Sequence, residues 1–365
     1  MSYMKAATAV IDLRSLRHNL DIIRQKSPNS KLLAVVKANG YGHGLLKIAQ
    51  NSDSADAFGV ARIEEALQLR AGGIVKPILL LEGFYSSLDL PILTTNNIQT
   101  AVHSIEQLEA LENATLETPV KVWVKLDSGM HRLGVRPEHF SDFVDRINRC
   151  DNIAKPIRFM SHFACADERQ SSITLEQTKL FLELTEPYEG ERSIAASAGI
   201  LVWPESRLEW NRSGIIMYGV SPFSDDDATD YHCKPVMTLK SCLIAVRDVK
   251  AGESVGYGAI WTSKRDTKIG VVAIGYGDGY PRTAPYGTPV WVNGRIAPIA
   301  GRVSMDMLTV DLGPEAVDCV GDEVILWGAP LPVENVAKHI GTIAYELVTK
   351  LTPRVEMQYL TERNE

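Results

Sequence analysis

Several features are scarce or missing in this sequence of 365 residues, and each absence removes a class of protein. Lys and Arg number 38 against 45 Asp and Glu, a net charge of −7, so the basic surplus of a typical nucleic-acid binder is missing. No apolar run approaches the roughly 20 residues of a membrane-spanning helix. The N-terminus, MSYMKAATAVIDLRS, lacks an apolar segment of signal-peptide length, so we do not expect export. The sequence predicts a globular protein with neither nucleic acid nor membrane as its partner.

Cysteine is sparse and irregularly spaced. The chain has five, at Cys150, Cys165, Cys233, Cys242 and Cys319. The odd number, the wide spacings and the lack of a C-x-x-C pair argue against a disulfide framework and against a cysteine zinc site. An H-E-x-x-H motif is missing as well, so we expect no metal. This cysteine usage indicates a reducing, cytoplasmic compartment.

Three common nucleotide and hydrolase motifs are also missing. The sequence has no G-K-[ST] and therefore no Walker P-loop. Gly275–Gly279 carries glycines at alternate positions and leads to a proline, which does not fit a dinucleotide fingerprint. Ala195–Gly199 is close to G-x-S-x-G but lacks the first glycine, so a serine-hydrolase elbow is not expected.

The first two thirds of the chain alternate short apolar runs with amphipathic helical patterns. Eight such units in about 220 residues are typical of a (β/α)8 barrel, although periodicity alone leaves a doubly wound open sheet as the alternative. Strands are predicted at Leu32–Val36, Ala57–Val60, Pro77–Leu81, Thr100–Ser104, Val120–Leu126, Ile157–Phe163, Ser193–Ser197 and Trp210–Gly214. The clearest helices are predicted at Ser15–Gln25, Glu64–Arg70, Ile105–Leu111, His139–Ile147 and Leu175–Leu184.

The pattern changes after Phe223, where an acidic stretch without apolar periodicity runs from Ser224 to Asp230. We interpret this stretch as a connection between domains, with a long barrel loop as the alternative. The predicted domains are a barrel over residues 1–230 and a mainly antiparallel β domain over residues 231–365, with which the first eight or so residues could pack. Asn293-Gly294 predicts a hairpin, and one helix is predicted near Val333–Ile340.

A lysine and a glycine-rich turn follow the first predicted strand, in Val36–Gly44. The C-terminal ends of barrel strands face the mouth where active sites form. Burial there lowers the pKa of Lys37 and frees an amine nucleophile, as a lysine that binds a carbonyl cofactor requires. On position alone, a strand-end lysine that reaches solvent is the more common case.

The residues of Val36–Gly44 are similar to the cofactor-lysine signature of the alanine racemase family, whose members bind pyridoxal 5′-phosphate (PLP). The likeness covers nearly the whole chain and is greatest to biosynthetic members from Gram-negative bacteria. Further segments resemble family signatures in the family's order: Lys125–Gly134, Ser161–Ala164, Ala196–Ala198, Arg212–Ile215, Val255–Ala259 and Gly301–Asp306. The resemblance implies a TIM barrel followed by a β-rich domain, an amino-acid isomerase that interconverts L- and D-alanine for peptidoglycan, and a homodimer with shared active sites.

The resemblance also implies two catalytic bases, because the proton must leave one face of the α-carbon and return on the other. Lys37 would bind PLP and act on the D-alanine side, and Tyr257 would act on the L-alanine side from across the dimer interface. A tyrosine has a pKa near 10, so its phenolate needs cationic neighbours. The family directs it toward His162, which contacts Arg212. Arg212 would face the pyridine nitrogen and disfavour its protonation.

The remaining site residues are assigned in the same way. A TIM barrel usually binds phosphate after its last two strands, where Ser197, Gly214 and Ile215 lie. Tyr41 and Tyr345 would add hydroxyls by resemblance. Arg132 would bind the substrate carboxylate, Lys125 beside it would be carbamylated or remain a plain cation, and Met305 would give a backbone N–H from the partner subunit. Tyr276, Arg282, Arg302 and Asp167 would line the substrate entrance.

Three alternatives stay open at this stage. A broad-specificity racemase is the nearest, because one methylene changes binding by only about 1–3 kcal/mol. A PLP decarboxylase of the same fold type would place a carboxylate where Arg212 stands. A non-catalytic PLP carrier would lack the β domain that holds Tyr257 and Met305.

Overall fold

The computed structural model describes residues 6–361, which divide into two compact units. The barrel unit is Arg17–Met217. The β unit combines the described residues up to Leu16 with those from Tyr218 onward, and it opens with strand β1 (Thr8–Asp12). The units therefore divide 13 residues earlier than the boundary predicted at 230/231, because the chain after Tyr218 packs with the β unit. Within it, the backbone N–H of Ser221 donates to the Glu334 carboxylate at 2.7 Å.

Eight parallel strands form the sheet of the barrel unit. In chain order they are β2 (Lys31–Val35), β3 (Ala57–Val60), β4 (Ile78–Leu80), β5 (Ile98–Val102), β6 (Val120–Lys125), β7 (Ile153–Met160), β8 (Arg192–Ser193) and β9 (Trp210–Ser213). Neighbours pair in the order β8-β7-β6-β5-β4-β3-β2-β9. The backbone N–H of Arg212 donates to the carbonyl of Ala195 at 3.0 Å, which joins the two ends of the sheet. The predicted (β/α)8 barrel is confirmed.

Helices alternate with these strands. They are α1 (Leu13–Lys26), α2 (Lys37–Tyr41), α3 (Leu45–Gln50), α4 (Ile63–Ala71), α5 (Leu90–Thr95), α6 (Ile105–Glu112), α7 (Pro137–Arg149), α8 (Ile173–Thr185) and α9 (Ser197–Val202). The sequence of α7 shows why they form: proline opens the first turn, and Phe140, Phe143, Val144 and Ile147 bury one face at helical spacing. Across residues 6–361, no helix combines the length and apolar character needed to cross a membrane.

Several predicted strands were wrong in their extent. The strand predicted at Thr100–Ser104 is β5 at Ile98–Val102, and the one predicted at Ile157–Phe163 is β7 at Ile153–Met160. Ser193–Ser197 was expected to be extended, but β8 stops at Ser193 and Ser197 opens α9. The neighbouring strand β7 ends at Met160, and the N–H of Ser161 makes the last rung by donating to the Ser193 carbonyl at 3.0 Å. After this hydrogen bond the residues that follow Ser193 have no β7 backbone to pair with, and the chain enters α9.

The β unit is mainly antiparallel, as predicted. Its further strands are β10 (Met237–Val249), β11 (Ser254–Val255), β12 (Trp261–Thr262), β13 (Thr267–Val272), β14 (Pro289–Val292), β15 (Arg295–Pro298), β16 (Leu308–Gly313), β17 (Glu323–Trp327) and β18 (Glu356–Leu360). The main sheet has the order β15-β14-β17-β10-β1-β18, and β13 pairs with β10 and β16. Only the β1–β18 pair is parallel among the described pairs of this unit. Residues 1–5 of the N-terminal segment expected here lie outside the described residues.

Two local predictions for the β unit can be compared with the structure. Asn293-Gly294 joins β14 to β15 as a two-residue hairpin, with positive φ angles of 45° and 84° and Val292 paired to Arg295. The helix expected at Val333–Ile340 is α10 with those bounds. A second helix, α11 (Ala344–Thr349), was not predicted, because its six residues are too few to show helical periodicity.

Candidate active site

A cavity of about 380 Å³ lies at the C-terminal ends of the barrel strands. Seven residues singled out from the sequence line it: Lys37, Tyr41, Lys125, Arg132, His162, Arg212 and Gly214. The lining is completed by Val35, Leu81, Glu82, Leu133, Met160 and Ala196. Strand-end positions that are far apart in the sequence therefore converge on one space in the barrel unit.

Lys37 begins α2, which is a left-handed turn. Ala38, Asn39 and Gly40 have φ and ψ angles between 45° and 60°, and Tyr41 has a φ of 51°. This conformation costs roughly 1–2 kcal/mol for each non-glycine residue. The short turn places Lys37 and Tyr41 in the same cavity.

Cationic neighbours and burial both act on Lys37. Burial is the largest influence and lowers the pKa of its amine, and the charges of Arg132 and Arg212 lower that pKa further. The carboxylates of Glu82 and Glu65 oppose this shift. The balance favours the neutral, nucleophilic form of the amine more than free lysine would.

Lys125 ends β6 and is only 7% exposed. Its Nζ donates to the carbonyl of Leu81 at 3.3 Å. Burial lowers the pKa of its amine to about 8, and the charges of Arg212, Arg132 and Lys37 act in the same direction. Lys125 and Arg132 therefore repel as two cations, and part of the lysine population is neutral near physiological pH.

Arg212 lies on β9, 3% exposed, and is surrounded by acceptors. Its guanidinium donates to the Ser193 hydroxyl at 2.7 Å, to the Ser193 carbonyl at 2.9 Å and to the Ser161 carbonyl at 2.6 Å. Burial lowers its pKa to about 10, so it stays cationic at neutral pH. These contacts fix the direction of the guanidinium in the cavity.

His162 is the neutral neighbour of that cation. Burial, followed by the charges of Arg212 and Lys125, holds its pKa well below the usual 6.5. The Arg212 guanidinium lies 3.3 Å from Nδ1, and because arginine only donates, Nδ1 must accept. The ring proton of the neutral imidazole is therefore on Nε2, which is left as a donor.

Hydroxyl groups and backbone N–H groups meet beside Tyr41 and Gly214, two of the residues that line the cavity. The Ser197 hydroxyl accepts from the backbone N–H of Gly214 at 3.2 Å and from that of Ile216 at 3.3 Å. A Cβ at Gly214 would lie 2.9 Å from the Tyr41 hydroxyl and 3.6 Å from that of Ser197, so only glycine leaves this space open. Burial raises the pKa of Tyr41 to about 12, which keeps it a donor. Ile215 is fully buried beside them. This cradle fits an anion such as a phosphate.

Sequence reasoning missed two carboxylates near Lys37. Among the described residues that line the cavity, Glu82 is the one with an acidic side chain. Its carboxylate accepts a hydrogen bond from the Tyr85 hydroxyl at 2.8 Å. Arg62 in turn donates to that hydroxyl. Glu82 directly follows the apolar run of β4, so the strand-end rule that identified Lys37 could have found it. Glu65, on α4, has no such signal in the sequence.

The β unit holds six of the other predicted residues, and four of these lie on neighbouring segments. Tyr257 begins a single 3-10 turn between β11 and β12 and is 72% exposed. A Cβ at the next residue, Gly258, would lie 3.6 Å from the Arg302 guanidinium. The backbone N–H of Tyr276 donates to the carbonyl of Ser304 at 3.0 Å, next to Met305, which is 53% exposed. Within this unit, Tyr257, Arg302, Met305 and Tyr276 therefore share one region.

The three remaining predicted residues occupy separate places. Arg282 is exposed in the segment before β14. Tyr345 is partly buried in α11. Asp167 is exposed in the barrel unit, in the segment after β7, and does not line the cavity.

Sequence models of two domain families match the chain: the N-terminal domain of alanine racemase over residues 11–222, and its C-terminal domain over residues 236–359. The chain belongs to the alanine racemase family. The predicted family membership is thereby confirmed.

Individual alanine racemases match over almost their whole length. The chain is 73% identical to that of Vibrio vulnificus (strain YJ016) over 98% of this chain and 96% of the relative. It is 72% identical to that of Vibrio cholerae over 98% and 99%. The crystal structure of the biosynthetic alanine racemase from Pseudomonas aeruginosa superimposes with a TM-score of 0.95 at 44% identity, covering 98% of this chain and all of that one.

Alanine racemases use PLP, and the barrel unit of this chain fits that group. The space above Gly214, bounded by the Tyr41 and Ser197 hydroxyls, suits a phosphate. The amine of Lys37, with its lowered pKa, suits a bond to the aldehyde carbon. The fixed Arg212 guanidinium suits an unprotonated ring nitrogen.

Proposed function

We propose that the protein interconverts L- and D-alanine with PLP held in the barrel cavity. One observation carries this proposal: an amine with a lowered pKa, a fixed buried guanidinium and an anion cradle line the same 380 Å³ cavity. A decarboxylase of this fold type would need a carboxylate at the position of Arg212. The arginine therefore favours racemisation.

The barrel unit would hold the cofactor and provide one base. Bound PLP would withdraw electrons from the substrate α-carbon and so acidify its hydrogen. Tyr41, Ser197, Gly214 and Ile215 would bind the phosphate. Lys37 would anchor the cofactor and, when displaced by the substrate amine, would take or return the α-proton at Nζ on the D-alanine side.

The second base would be Tyr257 of the partner subunit. A base that acts in a buried cavity must be shielded from water, yet the side chain of Tyr257 is exposed in a single chain. This exposure supports an assignment in which a second chain covers Tyr257. The Nε2–H of His162, polarised by Arg212, can donate to a phenolate oxygen and stabilise it. Met305, in the same exposed region, would bind the substrate carboxylate through its backbone N–H. We therefore propose a homodimer with two shared sites.

Arg132 would bind the substrate carboxylate in the barrel cavity, and Lys125 would orient it as a carbamate. Carbon dioxide adds to a neutral amine, and the lowered pKa of Lys125 supplies that form. Intact mass spectrometry in bicarbonate should show one added carboxyl group that is absent in Lys125→Met, and an unchanged mass would refute carbamylation. Tyr276, Arg282, Arg302 and Asp167 would line the substrate entrance.

We further propose that the reaction supplies D-alanine for peptidoglycan in the cytoplasm, the compartment that the cysteine usage indicates. The decisive test gives the PLP-loaded protein L-alanine and, separately, L-serine, and follows the D-enantiomers by chiral chromatography. We expect D-alanine to form much faster than D-serine, and borohydride to trap PLP on Lys37. Equal rates would indicate a broad-specificity racemase. Failure to form D-alanine would refute the proposal.

A further inference from the structure

Glu65 connects α4 to the turn that begins with Lys37. One carboxylate oxygen, Oε1, accepts from the backbone N–H of Ala38 at 2.7 Å. The other, Oε2, accepts from the backbone N–H of Ala61 at 2.9 Å and from that of Arg62 at 3.1 Å. Three N–H groups from two segments of the barrel unit thus converge on one side chain.

The two oxygens of Glu65 serve different purposes. Oε2 accepts from the two backbone N–H groups that precede the first turn of α4, a contact that the carbonyl oxygen of glutamine makes as well. Oε1 binds Ala38, which lies 27 positions away in sequence. Glutamine has one carbonyl oxygen and would present its NH2 group to the remaining N–H donor. Only a carboxylate satisfies both segments at once.

The N–H that Oε1 binds belongs to the peptide bond between Lys37 and Ala38. Ala38 is left-handed, with φ and ψ both 53°, and it has no side chain that could compensate for this conformation. Asn39 has such compensation, because its side-chain oxygen accepts from the backbone N–H of Leu45 at 3.0 Å. The contact with Glu65 therefore stabilises the strained backbone of Ala38, which its own side chain cannot stabilise.

We propose that Glu65 is a positioning residue for Lys37: it fixes the Lys37–Ala38 peptide in the left-handed turn and so aims the Lys37 amine into the cavity. The inference rests on the proposed role of Lys37 as the cofactor-binding residue. Its charge also opposes the lowering of the Lys37 pKa by burial. The positioning effect and the charge effect of Glu65 can be separated. A glycine at position 38 removes the backbone strain there but leaves the charge of Glu65 unchanged.

Four variants test the proposal: Glu65→Gln, Ala38→Gly, the double variant, and Glu64→Gln as the matched control on the exposed face of the same helix. The first readout is hydrogen exchange of the backbone amides of residues 38–42 in the cofactor-free protein. We expect about tenfold faster exchange in Glu65→Gln, and none of this increase in Glu64→Gln.

The second readout is the rate at which added PLP becomes reducible onto Lys37 by borohydride. We expect it to fall about tenfold in Glu65→Gln and to return to within about threefold of wild type when Ala38→Gly is added. The same partial rescue should appear in kcat for alanine, with KM changed less than about twofold, because Arg132 is untouched.

Two results would overturn the proposal. One is wild-type exchange and trapping in Glu65→Gln. The other is a double variant as slow as Glu65→Gln, which would show that Glu65 acts through its charge or through the fold. If the wild-type protein itself neither traps PLP on Lys37 nor forms D-alanine, the proposed function fails instead, and the exchange data still report on the contact between Glu65 and Ala38.

Discussion

The mouth of the barrel and the Tyr257 turn differ in how far one chain prepares them for chemistry. In the barrel cavity, burial shifts the pKa values of Lys37, Lys125, His162 and Arg212, and neighbouring charges act as well on the first three. Tyr257 is 72% exposed on a short turn of the β unit. Cofactor binding should therefore depend on the barrel unit of a single chain, whereas proton transfer by Tyr257 should require surroundings that another chain provides.

The largest effect is expected from Lys37→Ala. In the proposed mechanism this change removes both the covalent anchor and one base, so racemisation should fall by more than about 10⁴-fold. Borohydride should no longer trap PLP on the protein. Chiral chromatography and peptide mass spectrometry measure the two effects, and trapping at an undiminished level would show that another lysine binds the cofactor.

Tyr257→Phe should be the next most damaging change and should separate the two regions. Racemisation should fall about 10²–10⁴-fold, the usual contribution of a general acid or base. Trapping of PLP on Lys37 should stay at the wild-type rate, because the barrel cavity is intact. Tyr286→Phe, another exposed tyrosine of the β unit, is the matched control. Full activity in Tyr257→Phe would refute the assignment of Tyr257 as the second base.

Glu82→Gln should produce a smaller change, seen as a pH shift. The Glu82 carboxylate opposes the lowering of the Lys37 pKa, so its removal lowers that pKa further. The pH profile for PLP attachment to the cofactor-free protein should consequently move to lower pH. Glu64→Gln again serves as the control. A shift to higher pH would contradict the assignment.

The smallest effect concerns stability and arises from Lys125. Its pKa is about 8 in the folded chain against 10.5 for free lysine, so between these values the unfolded chain binds more protons. The free energy of unfolding of the cofactor-free protein should rise with pH across this window, by at most about 3 kcal/mol. Lys125→Met should reduce this slope to the part that Lys37 contributes, because the pKa of Lys37 is also lowered, and Lys121→Met, exposed on the same strand, should leave the slope unchanged. Denaturant unfolding at several pH values provides the measurement.

The order and type of the barrel elements could be predicted because eight apolar runs alternate with helical patterns. The end of β8 could not, since it depends on where its neighbour β7 stops. The same limit applies to the site. Lys37 and Arg212 follow from strand ends and motif resemblance, whereas the contact between Glu65 and Ala38 joins residues 27 positions apart through the fold.

The central claim is that a working site needs the barrel unit of one chain and the β unit of another. Mixing equal amounts of Lys37→Ala and Tyr257→Phe chains, each inactive alone, tests it most directly. After subunit exchange, half of the dimers should be hybrids with one intact site, and about a quarter of the wild-type activity should return. If activity stays at the level of the separate variants although hybrids form, the two residues act within one chain and the shared site is refuted.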